Sequence, residues 1–192
     1  MILVKSLTVF IFVLLLLVSC DLFDPRESEY PSNSGVSWQD PTSPDIVIEN
    51  MQSALNGSSV LYMDCFDDSF VFLADTNDIN EYVTYNFSSW DKLVENDTVN
   101  QLFAIVPVDS VISSEFLMDM SNPDPASPQD SATIYRDYTI TVPSANHSFA
   151  AGIAEIKLIE DSEGFWSIKE WIDVRHEQSS FVTWAVMKAS YR

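Results

Sequence analysis

Along the chain the apolar positions recur first at helical spacing and then at a spacing of two, and this switch sets the architecture. In the first half, Thr42 or Ser43 precedes Pro44 in the order of a helix cap and its first residue. Val47, Met51, Ala54 and Leu55 then share one face, and Gly57 ends the helix. A second short helix is expected over Leu61 to Phe66, and Phe70-Val71-Phe72-Leu73-Ala74 is a dense apolar run of strand length. Ser88 or Ser89 opens a further helix at Trp90, with Leu93, Val94, Leu102 and Phe103 as its buried positions. After Pro107 the period becomes two. Ile112, Phe116, Met118 and Met120 alternate on one strand, Ile134, Tyr138, Ile140 and Val142 on a second, and Ala154, Ile156 and Leu158 on a third; a fourth begins at Phe165. The segments between them, such as Asn122-Pro123-Asp124-Pro125 and Glu160-Asp161-Ser162-Glu163-Gly164, are turn chemistry. Helices followed by an antiparallel meander predict an α+β domain, with N-terminal helices packed on a curved antiparallel sheet.

Two places break the pattern. On strict alternation the last strand turns Trp166, Ile168, Ile172 and Val174 inward, with Glu170 as a polar member of that face. A bulge at Lys169-Glu170 instead moves Trp171 and Asp173 onto the Trp166 and Ile168 face, and it is the expected arrangement because it removes an exposed tryptophan. Arg136 keeps period two with Ile134 and Tyr138, so it intrudes on an apolar face and needs a partner, for which Asp173 or Glu155 stand across the sheet. A core ion pair or an arginine at the sheet's rim is favoured for it over a ligand clamp. Near the C-terminus, Trp184, Met187, Lys188 and Tyr191 form one helical stripe that is expected to pack on the domain.

The N-terminus reads differently. Residues 1–19 carry one charge, Lys5, then an apolar run from Leu7 to Val18 interrupted only by Thr8, then Ser19, the layout of a signal peptide. The run is short for a membrane span, which needs about 20 apolar residues, and acids follow it at once. Leu17-Val18-Ser19-Cys20 resembles the lipobox of bacterial lipoproteins, and the resemblance implies cleavage before Cys20, lipidation of its sulfur and attachment to a membrane through the acyl chains. The domain would then sit in the bacterial cell envelope, outside the cytoplasm; Asp21 bears on the choice between inner and outer membrane, which stays open. Residues 20–44 hold the modified cysteine and a tether rich in proline and serine, with a mean reach of about 27 Å as a coil, and residues 45–192 form one domain.

The chain carries a formal charge of −20; cleavage would remove Lys5 alone among charged residues, so that 9 Lys+Arg become 8 against 29 Asp+Glu, a charge of −21. Such a surface repels phosphate backbones and excludes nucleic acid as a partner. With Cys20 lipidated, Cys65 is left without a disulfide partner and reads as a core residue. Asp75-Thr76-Asn77-Asp78-Ile79-Asn80-Glu81 begins like a calcium loop but lacks the glycine, and Asn86 stands where the bidentate glutamate belongs. No motif calls for a metal or a cofactor.

Phe66-Asp67-Asp68-Ser69-Phe70-Val71-Phe72 and Gly164-Phe165-Trp166-Ser167-Ile168-Lys169-Glu170-Trp171-Ile172-Asp173 resemble the helix-to-strand junction and the last strand of the nuclear transport factor 2-like superfamily, which includes ketosteroid isomerase and the SnoaL-like cyclases. The resemblance implies a cone in which a curved sheet wraps an apolar pocket, lined here by Arg136, Tyr138, Trp166, Trp171, Asp173, Phe116 and Met118. An isomerase-like site would use Asp173 as general base with Tyr138 or Tyr62 as oxyanion donor. His147 and His176 read as loop residues, so the histidine-dependent dehydratases of the superfamily are a poor match. A lipid-anchored domain outside the cytoplasm favours a noncatalytic binder of a small apolar ligand or an envelope protein over an isomerase- or cyclase-like enzyme.

Overall fold

The computed structural model describes residues 35–126, 128–177 and 180–192. The expected signal peptide, Cys20 and the first part of the expected tether lie outside the described residues.

Helix α1, Pro44–Asn56, starts as its sequence dictates: the Ser43 hydroxyl accepts from Ile46 N–H, Pro44 occupies the first turn and Asp45 adds a negative charge there. Its buried face is Val47, Ile48, Asn50, Met51, Ala54 and Leu55. Residues read as the end of the tether are packed against this helix. Gln39 N–H donates to Asn50 Oδ1 at 2.9 Å, Asn50 Nδ2 returns a bond to Gln39 O at 2.7 Å, and Trp38 packs on the core. A 3-10 turn, Val60–Cys65, leads into β1, Phe66–Leu73, and a short α2, Thr76–Glu81, follows. Cys65 is buried, and burial pushes its thiol up, as befits a core residue.

Helix α3, Lys92–Ile105, starts later than the sequence suggested, because Asp91 rather than Ser88 or Ser89 caps it by accepting from Val94 N–H at 3.0 Å. Leu93 is 67% exposed, but Leu102 is buried and Val94 and Phe103 pack on the core as expected, and Glu95, Thr98 and Val99 face inward beside them.

Five further elements complete the domain: β2, Ser113–Met118; β3, Ser131–Thr141; β4, Phe149–Glu160; β5, Trp166–Val174; and α4, Trp184–Ala189. The five strands run β1-β5-β4-β3-β2. Three pairings are antiparallel and form the expected meander, while β1 lies parallel to β5, so the sheet is mixed. Segment Trp90-Asp91 closes the β1 edge, where Phe72 N–H donates to Trp90 O at 2.9 Å. On the opposite edge Phe116 is buried, but Met118 is 44% exposed. It shares the inward face and lies beyond the residues that cover it.

The bulge in β5 is where alternation required it. Lys157 pairs with Glu170 and Leu158 with Ile168, leaving Lys169 unopposed, and Trp171 and Asp173 therefore join Trp166 and Ile168 inside. Deleting Lys169 would restore strict alternation and turn both Trp171 and Asp173 outward. The deletion is expected to abolish the cooperative thermal transition seen by circular dichroism, whereas Lys169→Ala, which keeps the extra residue, is expected to stay within about 0.5 kcal/mol of the parent.

Candidate functional site

The inward faces of β2, β3 and β5 bring together four of the residues expected to line a pocket. The Phe116, Tyr138 and Trp171 rings lie 5.9–6.3 Å apart, and Tyr138 OH donates to Asp173 Oδ1 at 2.6 Å. The close approach of the tyrosine depends on Gly152, its partner on β4: a Cβ there would stand 2.7 Å from the Tyr138 hydroxyl and 2.7 Å from Val174 O.

Helix α4 then closes this pair off. Thr183 caps the helix, Trp184 N–H donates to the Tyr138 oxygen at 2.8 Å, and Ala185 N–H donates to Asp173 Oδ2 at 2.6 Å. Both Asp173 oxygens are thus occupied, one by a phenol and one by the first turn of a helix, and the residue is fully buried. Burial pushes its carboxyl up to about 7, against the opposing pull of the Tyr138 hydroxyl, the Ala185 N–H and the Lys188 charge. Burial and the adjacent carboxylate together push the Tyr138 phenol well above its usual value. A general base needs a free lone pair facing a substrate; here both oxygens face the protein.

Beside this pair lies a cluster that the sequence pattern did not reveal. Lys188 of α4 and Glu95 of α3 are both fully buried, and the ammonium donates to Glu95 Oε1 at 2.9 Å and Oε2 at 2.6 Å. The same carboxylate accepts from Tyr62 OH at 2.9 Å and Trp90 Nε1 at 2.7 Å. Four rings surround the ammonium, with centroids at 3.5 Å for Phe72, 4.8 Å for Trp90, 5.3 Å for Trp184 and 5.6 Å for Trp171. Burial drives the Lys188 amine down, and Glu95 opposes that shift. Trp171 Nε1 is buried with no hydrogen-bond partner among the described residues. Tyr62, expected as an alternative oxyanion donor, is committed to Glu95 rather than to Asp173.

The other predicted residues lie elsewhere. Arg136 is buried but pairs with neither Asp173 nor Glu155. Its guanidinium holds Asp124 at 2.8 and 2.6 Å and Asp45 at 2.8 Å, because the loop after β2 folds Asp124 back over β3 and the first turn of α1 presents Asp45. This arginine ties the β2–β3 loop to α1. Trp166, also buried, sits at the opposite end of β5 from Asp173, where its N–H donates to Pro41 O at 2.7 Å. Met118 opposes Arg136 on the edge strand. His147 lies 3.4 Å from the Tyr85 hydroxyl and His176 3.4 Å from Asp137, both away from the interior. Among the described residues no group of three His, Cys, Asp or Glu is placed to hold a metal. Hollows of about 510 Å³ over Met63, Lys92 and Leu93, and about 530 Å³ beside Glu81 and Arg175, open on the outer surface.

No protein-family model matches the chain, and no curated protein does. Solved structures do. A protein assigned provisionally as an aromatic ring hydroxylase, from Novosphingobium aromaticivorans, aligns over 74% of this chain and 93% of its own with a TM-score of 0.54 at 11% identity. A nuclear transport factor 2-like protein of unknown function from Pseudomonas putida aligns over 71% and 89%, with a TM-score of 0.48 at 10% identity. Another such protein of unknown function, from Pseudomonas aeruginosa, aligns over 67% and 90% with a TM-score of 0.46 at 15% identity. These are likenesses of fold. The α+β architecture, helices against a five-stranded mixed sheet, aligns with the fold of the Novosphingobium protein, and the chemistry has to be read from this chain's own residues.

The raised Asp173 carboxyl predicts a pH dependence. Its folded value of about 7 lies above the unfolded value of about 3.9, so the stability it contributes is complete below about pH 4 and is lost as pH rises through 7. Between pH 4 and 8, urea unfolding of the wild type is expected to lose up to about 4 kcal/mol relative to Asp173→Asn, which cannot titrate there. Parallel curves for the two proteins would show that Asp173 does not carry this proton.

Proposed function

We propose that the chain is a bacterial lipoprotein, lipidated at Cys20 and held in the cell envelope, whose cone domain is a noncatalytic binding module. One observation carries the noncatalytic reading: Asp173 and Tyr138, the pair an isomerase-like enzyme would use, are sealed beneath α4 with both carboxylate oxygens bonded. Phe72, Trp171 and Trp184 fill the space that a small apolar ligand would need, which favours an envelope protein as the partner in the closed state. The net charge of −20 supports a domain that stands away from an anionic bilayer. The Leu17-Val18-Ser19-Cys20 run supports the anchor, and Asp21 leaves the choice of membrane to experiment.

An isomerase- or cyclase-like enzyme is the second reading. The 2.6 Å contact between Tyr138 and Asp173, with the carboxyl raised to about 7, favours it. It requires α4 to leave before any substrate reaches Asp173.

In a bacterial host, the wild type is expected to incorporate a palmitate analogue and to partition with membranes. Cys20→Ser is expected to lose the label and to accumulate as uncleaved precursor on gels; equal labelling of both would rule out the anchor. For the noncatalytic reading, neither the wild type nor Asp173→Asn is expected to conjugate a β,γ-unsaturated ketone faster than buffer in an absorbance assay. A rate that depends on Asp173 would favour the enzyme.

A further inference from the structure

We propose that the interior aromatic cage is a binding site for a small primary alkylammonium, occupied in this structure by the chain's own Lys188, with α4 as the internal competitor that fills it. The proposal rests on the noncatalytic binding reading, but not on the lipid anchor or on a protein partner.

The walls of the site belong to the body of the domain. Phe72 comes from β1, Trp171 from β5 and Trp90 from the segment before α3, and only Trp184 among the four rings comes from α4. The countercharge is equally independent of the plug: Glu95 is on α3 and is already held by Tyr62 OH and Trp90 Nε1. Taking α4 away would therefore leave an oriented carboxylate facing three aromatic rings, the chemistry that recognises an ammonium cation. Both Glu95 oxygens accept from Nζ, which selects a primary ammonium with several N–H donors.

A buried lysine–glutamate pair is a weak device for stability, since apolar residues of the same volume serve a core as well or better. Its presence is better accounted for by a site that needs a cation. Helix α4 is not itself part of the sheet, although all six of its residues are buried and Trp184, Ala185, Met187 and Ala189 belong to the core. It contributes to no strand pairing, and the chain before it joins the sheet through an isolated bridge between Val182 and Ala150, with a bond from Ala151 N–H to Val182 O at 3.0 Å. Further polar ties are the bonds to Tyr138, Asp173 and Glu95 already described, Thr183 OH to Asp78 Oδ2 at 2.5 Å, Asn146 N–H to the Tyr191 oxygen at 2.7 Å and Arg192 Nη1 to Asn86 O at 3.0 Å, and displacing the helix would also expose its buried apolar side chains.

The test uses the full chain, as wild type and as Lys188→Ala. The variant removes the atoms that n-propylammonium would replace, and 1-propanol supplies the same shape without the charge. Lys188→Ala is expected to bind n-propylammonium saturably, read by tryptophan fluorescence and by a rise in Tm, with a preference of about tenfold or more over 1-propanol. Adding Glu95→Gln is expected to remove that preference. The wild type is expected to show the same saturable change at a higher concentration than the variant, because Lys188 competes, and sodium chloride at equal ionic strength is expected to give none. If Lys188→Ala does not fold alone, refolding with n-propylammonium chloride but not with 1-propanol supports the site, and equal or absent recovery with both overturns it. Equal responses to amine and alcohol in a folded variant overturn it too, as does a wild type that shows no saturable change.

Discussion

An ammonium withdrawn entirely from water has to be neutralised where it lies, and the interior of this domain is built around that constraint. Lys188 reaches Glu95 only if α4 packs against α3 and the sheet at once. Glu95 in turn is fixed by Tyr62 from the 3-10 turn and Trp90 from the segment that closes the β1 edge. One carboxylate thus gathers donors from three separate parts of the chain. Loss of either charged partner would leave the other buried and unpaired, which is why the pair determines how the last helix docks.

A second polar anchor, on the same helix, works with the first. Asp173 and Tyr138 take the N–H groups of Ala185 and Trp184, two of the donors that the first turn of a helix leaves unsatisfied. Both anchors depend on the β5 bulge. Without the unopposed Lys169, Asp173 would face solvent, and the Trp171 ring would leave the wall around the Lys188 ammonium. One extra residue in a strand therefore sets the polar interior, and Gly152 supplies the clearance that lets Tyr138 lie close to β4.

Much of this was legible in the sequence, and the failures share a cause. The meander could be read because its strands alternate without interruption. The bulge could be inferred because strict alternation would have exposed a tryptophan. In contrast, the inward face of α3 was legible only in part, at Val94, Leu102 and Phe103, since it also includes Glu95 and Thr98, which hydropathy assigns to the outside, while Leu93 is exposed. Lys188 stood on the apolar stripe of α4, yet a lysine at the end of a helix reads as a solvated charge until its partner is known. The error over Arg136 was of the same kind: its need for a counterion was visible on β3, but the partners come from a loop and a helix start, Asp124 and Asp45, whose approach strand periodicity does not encode. Polar contacts between distant segments are set by tertiary closure, and that is the level at which the sequence pattern runs out.

The domain shows how the same residues can serve opposite ends. An acid raised toward neutrality beside a tyrosine is the equipment of a proton-transfer site when a cavity faces it. Here the Asp173 oxygens are spent on a phenol and a helix N–H, so the raised carboxyl reports burial rather than readiness to react. What separates the two outcomes is the position of α4, six buried residues that cover these polar groups. While the helix is docked, recognition is confined to the outer surface. If it is displaced, the first groups uncovered are an oriented carboxylate and an array of aromatic rings, and these select for charge before they select for shape.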